Sequence, residues 1–213
     1  MKLYRHYKNK PYKFVGTAKH SETLEDMVIY ECLYDNPSAK VWVRPKGMFF
    51  ENVDIGGRMK PRFEKIPLRL DSTTEITSTM VSILAPLVAS IFGEWNPQRF
   101  TSVLNNHRKF HLVTAWIEDK LVAYKIGYEK DKTCFYSWGG GVLPEHRGLG
   151  IAKTLMTAQH DWCREQGYKK IQTKTRNKFK DMLLLNIKSG FDIIGTQTTE
   201  SDGLKILLEK KLS

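Results

Sequence analysis

The sequence predicts a small β-rich unit followed by a larger α/β domain, and three observations predict it. Up to residue 66, short runs rich in Val, Ile, Tyr, Phe and Trp are separated by turn signals. From residue 67 onward, strand patterns alternate with stretches of helical period. The chain has 213 residues with 41% apolar content, enough for one domain or two small ones, and it contains no internal repeat or low-complexity tract. The expected domains are 1–66 and 67–213.

In the first part the strand candidates are YKFVGTA, MVIYECLY, KVWVRP and MFFENVDI, with turns at DNPSAK, RPKG and GG. SETLEDM reads as a helical turn with Ser21 as its N-cap. His20 beside Glu22 reads as a turn or capping pair in preference to a polar binding cluster. In the second part IPLRL is a short strand, and residues 75–93 form a helix that Pro86 should kink or divide. Asn96 and Pro97 supply an N-cap and a first-turn proline for a helix to about Arg108. FHLVTAWIEDKLVAYKIGYEKDKTCFYSWGGGV reads as three strands with turns at EDK and EKDK. A helix then runs from about Gly150 to Gln166, stopped by Gly167, with Ile151, Leu155, Ala158 and Trp162 on one face. KKIQTKT is a strand, KFKDMLLLNIKS a helix stopped by Gly190, and FDIIGTQ and LKILLEK are closing strands.

The formal charge is +11, with 13 basic against 8 acidic residues over 1–66 and 21 against 15 over the rest. Such a surplus favours polyanionic partners, a phosphorylated cofactor as much as nucleic acid. The basic run Lys169 to Lys180 is read first as solvated surface, then as help with a cofactor's phosphates and last as a nucleic-acid contact, with Phe179 assigned to the core and nucleic acid not expected as a partner. Cys32, Cys134 and Cys163 form no C-x-x-C pair, so neither a metal site nor a disulfide framework is signalled, and reduced, buried thiols are expected. The basic N-terminus is not followed by an apolar h-region, and VSILAPLVASIF, broken by serines and Pro86, is too short to span a bilayer. A cytoplasmic protein with no membrane association is expected.

The stretch GVLPEHRGLGIAKTL, Gly141 to Leu155, carries the main functional signal. It puts Gly148 and Gly150 directly ahead of an apolar helical face. Small residues let the backbone approach a ligand, and the first N–H groups of a helix have no internal partner, so this turn suits phosphates. It lacks the Lys-Ser/Thr ending of a Walker loop, and its glycine spacing is not that of a dinucleotide fingerprint.

The pattern V-x-P-x-x-R-G-x-G-x-A, Val142 to Ala152, resembles the signature of the GNAT superfamily of acyl-CoA-dependent N-acetyltransferases. The stretch TKTRNKFKDMLLLNIKSGFDIIG resembles that family's next motif, ending in Gly190 and Phe191, and the resemblance runs from about residue 67 to 213. It implies a GNAT fold, a mixed central sheet with flanking helices, and acetyl transfer from acetyl-CoA to an amine acceptor without a metal. The first 64 residues, with HSET, VWVRP and the closing RF, resemble a small bacterial family known only as domain of unknown function 1653.

The GNAT resemblance implies that CFYSWGGGV and KKIQTKT are parallel neighbours splayed around the pantetheine arm. Backbone groups near Gly141 and Val142 would hold that arm, and the N–H groups of Arg147, Gly148, Leu149, Gly150, Ile151 and Ala152 would take the pyrophosphate. Asn177 matches a position that often contacts the cofactor, and reads equally well as a plain N-cap. A lysine-like amine has a pKa of about 10.4, so only about one molecule in 2,500 is neutral at pH 7 and deprotonation costs about 4.6 kcal/mol. A carboxylate acting through water is the expected base. Glu94 is the catalytic candidate, while Glu118 and Asp119 sit in an expected hairpin turn. The CFYSWGGGV strand holds no carboxylate, so Tyr136 or Ser137 is left to order a water. Asn186 stands where the family commonly has a tyrosine that protonates the leaving thiolate, and an amide is not a general acid. That departure keeps open a second reading, an acyl-CoA-binding sensor with little turnover. A third reading makes the first domain a nucleic-acid or ribosome tether.

Overall fold

The computed structural model describes residues 2–93, 95–106, 109–199 and 203–212, without the side chains of Arg99, Leu104 and Thr199. Two compact units divide principally between Arg69 and Leu70.

The first unit is a five-stranded antiparallel sheet in the order β4-β3-β2-β1-β7. Its strands are β1 (Leu3–His6), β2 (Lys10–Lys19), β3 (Asp26–Cys32), β4 (Val41–Pro45) and β7 (Phe63–Ile66). A short helix, α1 (Lys46–Phe50), and a two-stranded ribbon of β5 (Asn52–Asp54) and β6 (Met59–Pro61) lie between β4 and β7. Period-two alternation places Tyr4, Val28, Tyr30 and Phe63 in one core, where Phe49 of α1 stacks on Phe63 at 4.1 Å. Phe49 is fully buried, which contributes about 1.5–3 kcal/mol to holding α1 on the sheet. The strand expected over MFFENVDI is thus half helix, because Phe49 must point inward from a turn to complete a one-sheet core. SETLEDM holds the single helical turn expected, the Leu24 N–H donating to His20 O at 3.0 Å, and His20 caps it in place of Ser21. Its Nδ1 accepts the N–H groups of Glu22 at 3.3 Å and Thr23 at 3.2 Å.

The second unit is a seven-stranded sheet in the order β13-β14-β12-β11-β10-β9-β8. Its strands are β8 (Leu68–Thr73), β9 (Phe110–Ile117), β10 (Lys120–Glu129), β11 (Cys134–Val142), β12 (Lys170–Thr175), β13 (Asp192–Thr199) and β14 (Gly203–Lys211). The sheet is mixed: β11 and β12 run parallel, whereas β10–β11, β12–β14 and β13–β14 are antiparallel. Helix α2 (Ser78–Phe92) starts at Thr77, whose hydroxyl accepts the Met80 N–H at 3.3 Å, and stops at left-handed Gly93. It passes Pro86 undivided. Helix α3 (Pro97–Asn105) follows, and Asn96 O accepts the Phe100 N–H at 3.1 Å.

Helix α4 (Ile151–Glu165) packs on β10 and β11. With α5 (Lys180–Lys188) it covers a core of Phe135, Met156, Cys163, Ile171, Phe191 and Leu208. The buried side of α4 includes Gln159 and His160 besides Ile151, Leu155, Met156 and Cys163, a wider stripe than the apolar residues alone outline. All three cysteines are buried free thiols. Among the described residues, no helix is long and apolar enough to cross a membrane.

Candidate active site

The site is built around an irregularity at the middle of the sheet. The parallel ladder between β11 and β12 joins Cys134–Tyr136 to Lys170–Gln172 and goes no further. On its other side β11 stays paired with β10 as far as Val142. A bulge explains the divergence: Ile126 faces Gly139 and Gly127 faces Ser137, so Trp138 is an extra residue on β11. Such a residue bends its strand and increases the local twist. At the mouth of the gap the Thr173 hydroxyl donates to Ser137 O at 2.8 Å.

Two of the glycines that follow answer a close approach. A Cβ on Gly140 would lie 2.9 Å from Tyr124 O, and one on Gly141 would lie 2.8 Å from Ile91 of α2. Past β11, a 3-10 turn over Pro144–His146 leads to Gly148 at φ 77° and Gly150 at φ 76°. Left-handed backbone at both positions is what turns the chain into α4, and only glycine adopts it without a steric penalty. Leu149 and Ile151 are buried, Arg147 and Gly148 are exposed, and Ala152 and Gly150 are half-buried. From Leu149 and Ile151, therefore, only backbone groups are presented.

On the α2 side of the sheet, a row of aromatic rings runs beside the gap. Trp95 and Phe100 lie 5.0 Å apart, Phe100 and Trp138 5.4 Å, Trp138 and Tyr128 6.4 Å, and Tyr128 and Tyr136 5.3 Å. Tyr128 and Tyr136 line a cleft of ≈ 460 Å³ together with Gln172, Lys130, Lys174 and Leu207. Both lysines donate to amides, Lys130 to Gln172 at 2.7 Å and Lys174 to Gln197 at 2.8 Å. Burial pushes the Tyr136 phenol up to about 12, aided by neighbouring Tyr128, so it remains protonated at neutral pH. No carboxylate lines this cleft among the described residues.

The opposite face of the same strands meets α4 and is polar where an apolar core is expected. Ser137 Oγ, both side-chain atoms of Gln159, and His160 Nε2 are buried without a hydrogen-bond partner. Burial, then the charges of Lys210, Lys125 and Arg164, hold His160 down to about 3. Lys125, on the strand facing α4, is held down to about 8 by burial.

Glu94 lies outside the described residues. Glu118 and Asp119 form the exposed β9–β10 turn, as expected. Asn177 is exposed in the turn after β12, and the N-cap position of α5 is Phe179, so of the two readings of Asn177 the N-cap is not realised. Phe179 is exposed, contrary to its expected place in the core, because it precedes a short helix whose inward residues are Leu183, Leu185 and Asn186. Asn186 is buried at 3% exposure. Lys170 pairs with Glu209 at 2.9 Å, so part of the basic run is neutralised within the sheet. The aromatic row and the buried Gln159–His160 pair escaped the sequence reading. The alternation of Tyr128, Tyr136 and Trp138 on neighbouring strands carried a signal for the first. Nothing in a hydropathy pattern marks the second.

A mixed seven-stranded sheet with a broken parallel ladder, feeding a glycine turn at a helix start, is a specific arrangement. Residues 80–182 match the Acetyltransferase (GNAT) family, and residues 2–65 match a protein family of unknown function, DUF1653. The second unit has the GNAT fold. No curated protein matches the chain. Among solved structures, the fold is shared with the ribosomal-protein-S18-alanine N-acetyltransferase from Escherichia coli, at TM-score 0.59 and 14% identity over 68% of this chain and 95% of that one. It is shared with Ard1 from Thermoplasma volcanium, at TM-score 0.58 and 15% identity over 68% and 98%. A GNAT family acetyltransferase from Elizabethkingia anophelis with acetyl-CoA bound gives TM-score 0.56 and 16% identity over 68% and 98%. The GNAT fold thus accounts for the mixed sheet, the break between β11 and β12, and the turn ahead of α4. Among the described residues, no group of three or more His, Cys, Asp or Glu comes together as a metal site.

Proposed function

We propose that the GNAT domain transfers an acetyl group from acetyl-CoA to the primary amine of an acceptor, behind an accessory domain over residues 1–66. The observation that carries this reading is the β11–β12 ladder that ends after three residue pairs, beside the aromatic cleft. The residues suit the cosubstrate. Backbone at Gly141 and Val142 holds the pantetheine arm, and N–H groups from Arg147 to Ala152 face the pyrophosphate at the start of α4. Asn177, exposed after β12, is available to the same molecule.

The acceptor amine enters over Tyr128 and Tyr136. Its lone pair attacks the thioester carbonyl carbon, the carbon–sulfur bond breaks, the thiolate leaves and the new ammonium loses its proton. A backbone N–H of β11 steadies the charge that develops on the carbonyl oxygen. Tyr136, a phenol at neutral pH, orders the water that passes the amine's proton outward, with Glu94 as the carboxylate candidate. Asn186 has no proton to give the leaving group, but a thiol of pKa about 8.5 can depart as thiolate. Asn186, together with the lack of a carboxylate in the cleft lining among the described residues, supports a second reading, a sensor that holds acyl-CoA with little turnover.

Release of the coenzyme A thiol, followed over polyamines, amino acids, aminoglycosides and peptide N-termini with a no-acceptor control, tests the proposal. Release that depends on one amine class supports the enzyme and names its acceptor. Tight acetyl-CoA binding with no release for any amine favours the sensor.

A further inference from the structure

The first domain carries a cluster of side chains that acetyl transfer does not use. At the end of β1, the His6 ring lies 4.8 Å from Phe63 and 6.3 Å from Tyr12. Tyr12 stands edge-on to Tyr30 at 5.3 Å and to Tyr34 at 5.5 Å, and the Tyr12 and Tyr34 hydroxyls share a hydrogen bond of 2.6 Å. Arg44 reaches in from β4, its Nε donating to the Tyr30 hydroxyl at 3.3 Å. Lys10 lies 5.0 Å over the Tyr34 ring. Arg62 completes the group and is ion-paired with Glu51.

Two features of this cluster are not those of a solvated basic surface. His6, Tyr12, Tyr34 and Arg44 are all half-buried, yet Arg44 has no carboxylate partner among the described residues. Partly desolvating a guanidinium against aromatic rings costs free energy that an ion pair would normally offset. The open hydrogen-bonding capacity is also mostly of one kind. His6 Nδ1 accepts the Lys8 N–H at 3.3 Å, which leaves the ring proton on Nε2. Burial, then the charges of Arg44, Arg62 and Lys8, hold His6 down to about 4, so at neutral pH it stays an uncharged donor. The remaining guanidinium N–H groups of Arg44 and the Lys10 ammonium are donors as well. Glu51, the carboxylate paired with Arg62, is committed to that ion pair.

We propose that this inner face of the first domain is a binding site for an oxyanion carried on a planar ring. Arg44 and the His6 Nε2–H bind the oxyanion, and the half-buried Tyr12 and Tyr34 form the aromatic wall for the ring. A fork of guanidinium donors matches carboxylate and phosphate alike. The proposal is independent of the acetyl-transfer reading, since every residue in it lies within the first domain.

The test is a titration of the full-length, nitrogen-15-labelled chain, followed by magnetic resonance at the His6 imidazole and the Arg44 Nε–H. Excess coenzyme A is present throughout to saturate the second domain's phosphate-binding turn. Phenyl phosphate, benzoate and inorganic phosphate are the probes. Saturable shifts at both groups are expected with a ring-bearing probe, and the tighter of phenyl phosphate and benzoate identifies the anionic group. Arg44→Gln should weaken that binding at least about tenfold. Lys13→Gln, on the opposite face beside Glu31, should leave it unchanged. Absence of saturable shifts with both ring-bearing probes at millimolar concentration in the wild-type chain overturns the proposal. So does binding that Arg44→Gln leaves intact. Inorganic phosphate binding as tightly as phenyl phosphate removes the aromatic wall from it.

Discussion

Gly141 is the point where α2 presses on the sheet, and a methyl group added there reports on that contact. Its Cβ would lie 2.8 Å from Cγ2 and 3.0 Å from Cδ1 of Ile91. Favourable carbon–carbon contact begins at about 3.5 Å, so the overlap is well over half an ångström. Gly141 has no left-handed backbone, and the conflict is therefore one of packing alone. The Cγ2 methyl is fixed to a β-branched carbon and cannot swing aside without leaving its rotamer or moving the helix. Gly141→Ala should therefore destabilise the domain by about 1–3 kcal/mol. At this size that is a fall in Tm of about 2–4 °C per kcal/mol. Ile91→Ala vacates the same volume, so in the double variant the new methyl replaces lost contact in place of creating a clash. Thermal unfolding of the wild type, both single variants and the double variant closes a cycle whose coupling should favour the double variant by about 1 kcal/mol. A Gly141→Ala chain as stable as wild type, or costs that simply add, would refute the packing argument.

Three further outcomes are expected. Gly150→Glu sets bulk and negative charge at the turn ahead of α4, with a side chain at φ 76°, and should abolish acetyl-CoA binding by calorimetry in a chain that still folds. Tyr136→Phe keeps the ring against Tyr128 and removes only the hydroxyl, so kcat should fall at least about tenfold with acetyl-CoA affinity unchanged. Stability should fall on acidification because His111 and His160 are buried neutral, held down to about 4 and about 3. Below the unfolded value of about 6.5 the unfolded chain takes up protons that the folded chain refuses, so stability is full above that pH and is lost as pH falls toward the folded values. At pH 5 the loss is about 2 kcal/mol for each histidine, read as the shift in urea midpoint from pH 7. His111→Phe, which preserves the stack on Trp162 at 4.1 Å, should remove the His111 share of that loss.

Period and punctuation made most of the fold legible in the sequence. The three strands and their turns from Phe110 to Val142, the Asn96–Pro97 helix start, and the stops at Gly167 and Gly190 all rest on local backbone preferences that hold wherever the segment is placed. The same locality explains the misreadings. Met48 to Phe50 carries strand-like residues, yet Phe49 was needed above a one-sheet core, and tertiary burial outweighed propensity. Phe179 looked like core by residue type, but its position just before α5 leaves it in solvent.

By itself, then, the sequence determined the order of elements, the glycine turn before α4 and the family that these imply, because each depends on neighbours along the chain. Only the tertiary structure decided where β11 parts from β12 and which rings gather beside that gap. It also decided that Gln159 and His160 are sealed on the inner face of α4, and that Arg44 donates to Tyr30 with no carboxylate partner among the described residues. Those features are distances between residues far apart in sequence, set by a bulge at Trp138 and by the order of strands. No period of 2 or 3.6 residues encodes them.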